Sequence, residues 1–97
     1  MSLENKIALV TGASRGIGAS IATTLGEAGA TVIGTATSQG GADKITARLK
    51  EQGIKGTGMV LNVTDADSVA ALIKAVQEEF GTPQILVNNA GITKDNL

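Results

Sequence analysis

The sequence predicts an α/β protein in which helices cover both faces of an open parallel sheet. Three observations predict it: four short apolar runs, helical patterns between them, and an even spacing from one run to the next. The runs are continuous rather than alternating, which indicates strands buried on both faces. They begin at residues 7, 31, 59 and 85, a cadence typical of successive strand–helix–strand crossovers. The expected order is β-α-β-α-β-α-β, a doubly wound sheet.

Each predicted strand is bounded by glycine or polar residues. We expect strands at residues 7–10, 31–34, 59–63 and 85–87. The glycine-rich stretch 53–58 is expected to be a loop between the second helix and the third strand. The fourth strand is expected beside the first.

Three helical patterns lie between these strands. The first predicts a buried stripe of Ile17, Ile21, Leu25 and Ala28. The second is weaker, with Ala42, Ile45 and Leu49, and the third is the clearest, with Val69, Leu72, Ile73, Val76 and Phe80. Either Thr64 or Asp65 is expected to cap the third helix. A glycine follows each helix, as a left-handed C-terminal cap requires, at Gly29, Gly53 and Gly81.

Composition excludes several classes of function. The 97 residues contain no Cys, His, Trp or Tyr. A zinc site, a Cys nucleophile and a serine-hydrolase triad are therefore excluded, and no metal site is expected. A net charge of -1 with a single aromatic residue gives no footprint for nucleic acid. No apolar run is long enough for a membrane span or a signal peptide, so we expect a cytoplasmic protein without a membrane partner.

A glycine-rich segment, residues 11–18, joins the first strand to the first helix. At a strand-to-helix turn, Gly12 can form the tight turn, Gly16 can let a ligand approach the backbone, and Gly18 can let the helix pack closely. The free N–H groups and the dipole of the helix would then face a pyrophosphate. The spacing departs from G-x-G-x-x-G and from the Walker loop. The alternative is a tight turn that is merely rich in glycine.

The residues after the second strand bear on the choice of dinucleotide. An NAD site usually carries an acidic residue there, but no acid lies between Glu27 and Asp43. Hydroxyls follow the strand instead, including Thr37, and Arg15 is in the glycine-rich loop. An Arg and hydroxyls would hold a 2′-phosphate, which a carboxylate would repel. NADP(H) is therefore favoured over NAD(H), unless Arg15 is a solvated loop charge and Thr37 an ordinary turn residue.

Two motifs together resemble a known family. The first is Thr11-Gly12-x-x-x-Gly16-x-Gly18, and the second, at residues 88–91, is Asn-Asn-Ala-Gly. The pair, in this order, resembles the short-chain dehydrogenase/reductases. The likeness extends over all 97 residues, and within the family it is greatest to bacterial reductases of 3-oxoacyl groups on acyl carrier protein. It implies a Rossmann-type fold, NADP(H), a cytoplasmic homotetramer, and a role in fatty acid biosynthesis.

The resemblance also implies roles for individual residues. The phosphates would be lined by the loop and the start of the first helix: Gly12, Ser14, Arg15, Gly16, Ile17 and Gly18. Arg15 and Thr37 would lie near the 2′-phosphate, and Asn62 and Val63 would contact the adenine. Three residues would lie along the cofactor near the nicotinamide-side ribose: Asn89, Ala90 and Gly91. Asn88 is expected to bond neighbouring strands.

The catalytic residues that the family implies are missing. The family pattern places a Ser, a Tyr and a Lys beyond the second motif, and this sequence has no Tyr. Lys94 is not in a Tyr-x-x-x-Lys setting and receives no catalytic role. We therefore expect residues 1–97 to be the N-terminal part of one larger NAD(P)-binding domain, inactive alone. The alternatives are a non-catalytic nucleotide-binding module and a short-chain reductase for another carbonyl substrate.

Overall fold

The computed structural model describes residues 2–89 and alternates strands with helices throughout. Its seven elements are β1 (Ile7–Val10), α1 (Gly16–Glu27), β2 (Thr31–Ala36), α2 (Gln39–Glu51), β3 (Gly56–Val60), α3 (Ala66–Glu79) and β4 (Ile85–Val87). The predicted β-α-β-α-β-α-β order is confirmed. Within this range, no helix has both the length and the apolar character to cross a membrane.

The four strands form one parallel sheet in the order β3-β2-β1-β4. Leu9 of β1 pairs with Ile33 of β2 on one side and with Leu86 of β4 on the other. The prediction that the fourth strand lies beside the first is confirmed. The chain therefore moves outward from β1 through β2 to β3 and then crosses back to the opposite side of β1.

Helices cover both faces of the sheet, as predicted. On one face Ile45 and Leu49 of α2 and Ala22 of α1 pack with Val10 and Val32. On the other face Leu72 and Val76 of α3 pack with a second set of buried residues, namely Leu9, Ile33 and Leu61. The two faces come from the alternation of side chains along each buried strand.

The prediction for the third strand was wrong by three residues. The strand runs from Gly56 to Val60, and its register pairs Val32 with Gly56 and Ala36 with Val60. A Cβ on Gly58 would collide with the carbonyl oxygen of Ala42 in α2. The glycines that suggested a loop are strand residues over which α2 packs closely. β2 is also two residues longer than predicted, ending at Ala36.

The buried faces of α2 and α3 agree with prediction, but the face of α1 does not. Ala42, Ile45 and Leu49 of α2 are buried, whereas Ile17 of α1 is 73% exposed. The buried residues of α1 are Gly18 and Ala22, while Ile21 and Leu25 are half-buried against the core. The first turn of α1 is drawn against the preceding loop at Gly18, and Ile17 consequently points away from the core.

The predicted cap of α3 and the predicted glycine after each helix are confirmed. Asp65, rather than Thr64, caps α3 by accepting hydrogen bonds from the N–H groups of Asp67 and Ser68. Positive φ angles of +107°, +70° and +118° occur at Gly29, Gly53 and Gly81, after α1, α2 and α3. These angles are in the region that residues with a Cβ rarely adopt, so the glycines end the helices as expected.

Candidate functional site

The candidate site lies at the carboxyl edge of the sheet, where the segments that follow all four strands meet. α1 and α2 cover one face and α3 covers the other, so the direction of the crossovers reverses between β1 and β4. Ligands of doubly wound sheets bind outside the carboxyl ends of the strands at such a reversal. The loop of residues 11–15, which the sequence singles out, leaves β1 at this point.

Backbone hydrogen bonds hold that loop to the strands on both sides of β1. The N–H of Thr11 donates to the carbonyl oxygen of Val87 in β4 at 3.0 Å. The N–H of Ala13 donates to the carbonyl oxygen of Thr35 in β2 at 2.8 Å. The N–H of Gly12 donates to the hydroxyl of the same Thr35 at 3.3 Å. The loop is therefore fixed from both neighbouring strands.

Glycines make the turn and the close approach of the helix possible. Gly12 and Gly16 both have φ of +65°, and a Cβ on Gly16 would meet nothing within 4 Å. A Cβ on Gly18 would collide with the carbonyl oxygen of Gly12 and lie 2.8 Å from the Asn89 side-chain nitrogen. Gly18 therefore lets α1 rest on the loop, while Gly16 leaves open space above it.

The N-terminus of α1 lacks the side-chain cap that the other two helices have. Ser38 caps α2 and Asp65 caps α3, whereas Arg15 at the corresponding position of α1 makes no capping bond. The first turn of α1 contains no acidic residue. The first N–H groups of a helix have no partners within it, and they carry the positive end of its dipole. This end of α1 is suited to an anion.

Two asparagines connect the end of β4 to the loop. The side-chain amide of Asn89 donates to the carbonyl oxygen of Gly12 at 3.1 Å. The side-chain oxygen of Asn88 accepts from the hydroxyl of Thr11 at 3.4 Å. Asn88 thus makes a bond between neighbouring segments, as expected, and Asn89 has a structural contact besides the cofactor role that the resemblance implies. Ala90 and Gly91 lie outside the described residues.

The segments after β2 and β3 provide the remaining predicted residues. Thr37 is exposed, whereas the hydroxyl of its neighbour Ser38 accepts from the N–H of Gly41 at 3.2 Å. The side-chain oxygen of Asn62 accepts from both the N–H and the hydroxyl of Thr64, at 3.1 and 2.7 Å. Val63 is 38% exposed although it is apolar. The side chains of Thr37 and Val63 are therefore accessible to a ligand at the carboxyl edge of the sheet. Asn62 stabilises the turn after β3.

The geometry fits a dinucleotide. Gly16 leaves room beside the loop, Ser14 is half-buried in it, and exposed Arg15 and Ile17 flank the uncapped helix end. Backbone N–H groups, a helix dipole and one cation form the donor set that a pyrophosphate requires. Within residues 2–89 no group of three or more acidic residues could hold a metal ion.

Sequence reasoning missed two residues that support the loop. Thr35 is 1% exposed and bonds the loop at Gly12 and Ala13. It lies just past residue 34, the predicted end of the second strand, and no local pattern identified it. Arg48 of α2 donates to the carbonyl oxygens of Ala13 and Ser14 at 3.4 and 3.2 Å. No local pattern in the sequence distinguishes Arg48 from the other polar residues of α2.

Comparisons with known proteins agree with this geometry. The family model described as short chain dehydrogenase matches residues 6–97. The 3-oxoacyl-(acyl-carrier-protein) reductase FabG of Pseudomonas aeruginosa is 60% identical over all 97 residues, which cover 39% of that protein. The enzymes of the same name from Vibrio harveyi and Escherichia coli K12 are 62% and 58% identical, again over the whole chain and 38% of each relative. The chain thus spans about two fifths of the length of these curated relatives.

Proposed function

The chain belongs to the short chain dehydrogenase family, and from this premise we propose that it binds NADP(H) for the reduction of 3-oxoacyl groups on acyl carrier protein. The observation that carries the proposal is the uncapped N-terminus of α1 at the crossover reversal. It rests through Gly18 on the loop of residues 11–15, which we name the phosphate loop. The relatives at about 60% identity are 3-oxoacyl-(acyl-carrier-protein) reductases, which supports the substrate class. Fatty acid biosynthesis is the corresponding role.

In this proposal the pyrophosphate is bound by the loop and by α1. The N–H groups around Ser14, Gly16 and Ile17 donate to the phosphates, and Gly12 and Gly18 keep the backbone close enough for this. The exposed side chain of Ile17 lies against the ligand rather than in the core. This explains why an apolar residue at a predicted core position is exposed.

The 2′-phosphate is bound by Arg15 and Thr37. Both side chains are exposed, and the segment 28–42 between Glu27 and Asp43 has no carboxylate to repel the phosphate. Asn62 and Val63 lie beside the adenine. Asn89, with Ala90 and Gly91, continues along the nicotinamide-side ribose.

Bound NADPH supplies the hydride in this chemistry, and the residues of this chain hold and orient the dinucleotide. The sequence has no Tyr, so the family's proton donor is not among these residues. We propose that they form the N-terminal part of one NAD(P)-binding domain, and that alone they bind the dinucleotide without reducing a carbonyl. A homotetramer in the cytoplasm, without nucleic acid or membrane partners, completes the proposal.

The dinucleotide preference is tested with the intact protein, meaning the longer chain of which residues 1–97 are proposed to be the N-terminal part. It is titrated with NADPH and with NADH. Arg15→Ala should weaken the binding of NADPH by about tenfold more than the binding of NADH, because only NADPH has the 2′-phosphate. A tenfold change in affinity corresponds to about 1.4 kcal/mol. Lys55→Ala is the control, since Lys55 is an exposed cation just before β3, at the opposite edge of the sheet. Equal losses for both dinucleotides would contradict the role of Arg15.

The substrate class is tested with the same protein. We expect loss of NADPH absorbance with a 3-oxoacyl group attached to acyl carrier protein, and much slower loss with a simple ketone or a ketose. Equal rates with all three would favour a short-chain reductase of another specificity. Dinucleotide binding without turnover of any of them would favour a non-catalytic module.

A further inference from the structure

Arg48 joins helix α2 to the phosphate loop by two hydrogen bonds. Its two terminal guanidinium nitrogens donate to the carbonyl oxygens of Ala13 and Ser14, at 3.4 and 3.2 Å. The side chain is half-buried. Its two bonds join residues that are 35 and 34 positions apart in the sequence. A planar guanidinium can hold two neighbouring acceptors at once, which the single nitrogen of a Lys cannot do in the same way.

The loop lies where α2 can reach it. Side chains on a helix tilt toward its N-terminus, and the N-terminus of α2 is at the carboxyl edge of the sheet. A Cβ on Gly41 would lie 3.6 Å from the Cβ of Ser14, and a Cβ on Gly34 would lie 3.0 Å from that of Ala13. Residues 13 and 14 are thus packed between β2 and α2, with Arg48 closing the contact.

The direction of the two carbonyl groups determines the direction of two amides. In a planar trans peptide the C=O of one residue and the N–H of the next point opposite ways. Because the carbonyl of Ala13 is turned to Arg48, the N–H of Ser14 is turned away from it. The carbonyl of Ser14 directs the N–H of Arg15 in the same manner. Thr35 accepts from the two preceding amides, those of Gly12 and Ala13.

We propose that Arg48 is a positioning residue for the dinucleotide, and that it directs the N–H groups of Ser14 and Arg15 toward the pyrophosphate. The inference rests on the proposed function and adds a residue that lies outside the glycine-rich motif. Since NADPH and NADH share the pyrophosphate, Arg48 contributes to the binding of both. It differs in this from the side chain of Arg15, which is proposed to contact the 2′-phosphate that only NADPH has.

The experiment compares Arg48→Met with Lys44→Met in the intact protein. Lys44 is an exposed residue of the same helix, so its variant removes the same charge without touching the loop. We expect Arg48→Met to weaken the binding of NADPH and of NADH alike, each by roughly tenfold, since hydrogen bonds from a charged donor are among the stronger ones. Lys44→Met should change neither affinity by more than about twofold, because exposed charged side chains contribute little energy. Arg48→Lys should restore only part of the loss.

Amide hydrogen exchange separates positioning from general stability. In Arg48→Met without ligand, exchange at Ser14 and Arg15 should accelerate while the amides of the β1 and β2 core keep their protection. Ile54→Val is the matched destabilised control, because Ile54 is buried and the loss of one buried methyl group lowers stability without touching the loop bonds. It should leave exchange at Ser14 and Arg15, relative to the core, as in the unmodified protein.

Three results would overturn the inference while the proposed function stands. They are unchanged binding in Arg48→Met, a loss confined to NADPH, and full recovery in Arg48→Lys, which would make charge alone sufficient. Failure of the unmodified protein to bind either dinucleotide would overturn the proposed function and this inference together. The two failures are therefore distinguished by the unmodified protein.

Discussion

The side-chain amide of Asn89 donates a hydrogen bond to the carbonyl oxygen of Gly12 at 3.1 Å, across 77 positions of sequence. The bond joins the end of β4 to the loop after β1, and Gly18 of α1 packs against both partners. The conformation of the phosphate loop therefore depends on a strand that is three crossovers away along the chain. Any change in this contact should alter folding stability and dinucleotide binding together.

Asn89→Asp should destabilise the loop because it replaces the NH2 group, the only donor group of that side chain, with a carboxylate oxygen facing a carbonyl oxygen. We expect the free energy of unfolding to fall by about 1–3 kcal/mol, the cost of leaving a partly buried polar group without a partner. Both dinucleotides should bind more weakly. Urea unfolding and NADPH titration of the intact protein measure the two effects.

Asn88→Asp is the matched control for that variant. It adds the same charge one residue earlier, but the side-chain oxygen of Asn88 acts as an acceptor, from the hydroxyl of Thr11, and a carboxylate retains this capacity. It should therefore destabilise less than Asn89→Asp. Equal effects of the two variants would show that added charge, rather than the lost donor, is responsible.

Gly18→Ala should separate α1 from the phosphate loop. The new Cβ would collide with the carbonyl oxygen of Gly12 and approach the Asn89 side-chain nitrogen to 2.8 Å, and a backbone atom cannot rotate away as a side chain can. Overpacking of this kind costs about 1–3 kcal/mol. The melting temperature and the affinity for NADPH and NADH should all decrease.

Gly40→Ala is the control for that substitution, since a Cβ there meets nothing within 4 Å and the residue lies in the first turn of α2. Ala is the better helix former, so this variant should be as stable as the unmodified protein or more stable by about 0.5–1 kcal/mol. A loss of affinity in Gly40→Ala as large as in Gly18→Ala would count against the close approach at Gly18.

Thr35→Val should weaken the loop without changing the volume of the core appreciably. It removes the hydroxyl that accepts from the N–H of Gly12 at 3.3 Å, while the carbonyl bond to Ala13 remains. We expect a loss of about 1 kcal/mol of stability, typical of one hydrogen bond, and weaker binding of NADPH. Calorimetric unfolding and NADPH titration provide the measurements.

Thr31→Val tests whether the effect is specific to the loop. Thr31 is half-buried at the start of the same strand, at the opposite edge of the sheet. A β-branched apolar residue fits a buried strand as well as Thr does, so this variant should retain both stability and NADPH affinity. Equal losses in Thr31→Val and Thr35→Val would indicate a general requirement of β2 for hydroxyls.

Most of the fold could be predicted because it depends on local periodicity. Continuous apolar runs located β1 and β4 to the residue, and the spacing of Ala42, Ile45 and Leu49 identified the buried face of α2. The prediction failed at Gly56 and Gly58, where glycine serves a helix contact rather than a loop. It also failed at Ile17, because the first turn of α1 lies at the candidate site rather than against the core, and Ile17 is exposed there.

The sequence by itself determined the strand order along the chain, the helix ends, and the glycine-rich loop at the first strand-to-helix turn. Each depends on contacts within a few residues, on a continuous apolar run, or on the helical period of 3.6 residues. Only the tertiary structure decided that Thr35, Arg48 and Asn89 hold that loop. These bonds join residues 23 to 77 positions apart, so no local pattern encodes them. They exist because the parallel sheet brings the carboxyl ends of its strands to one edge.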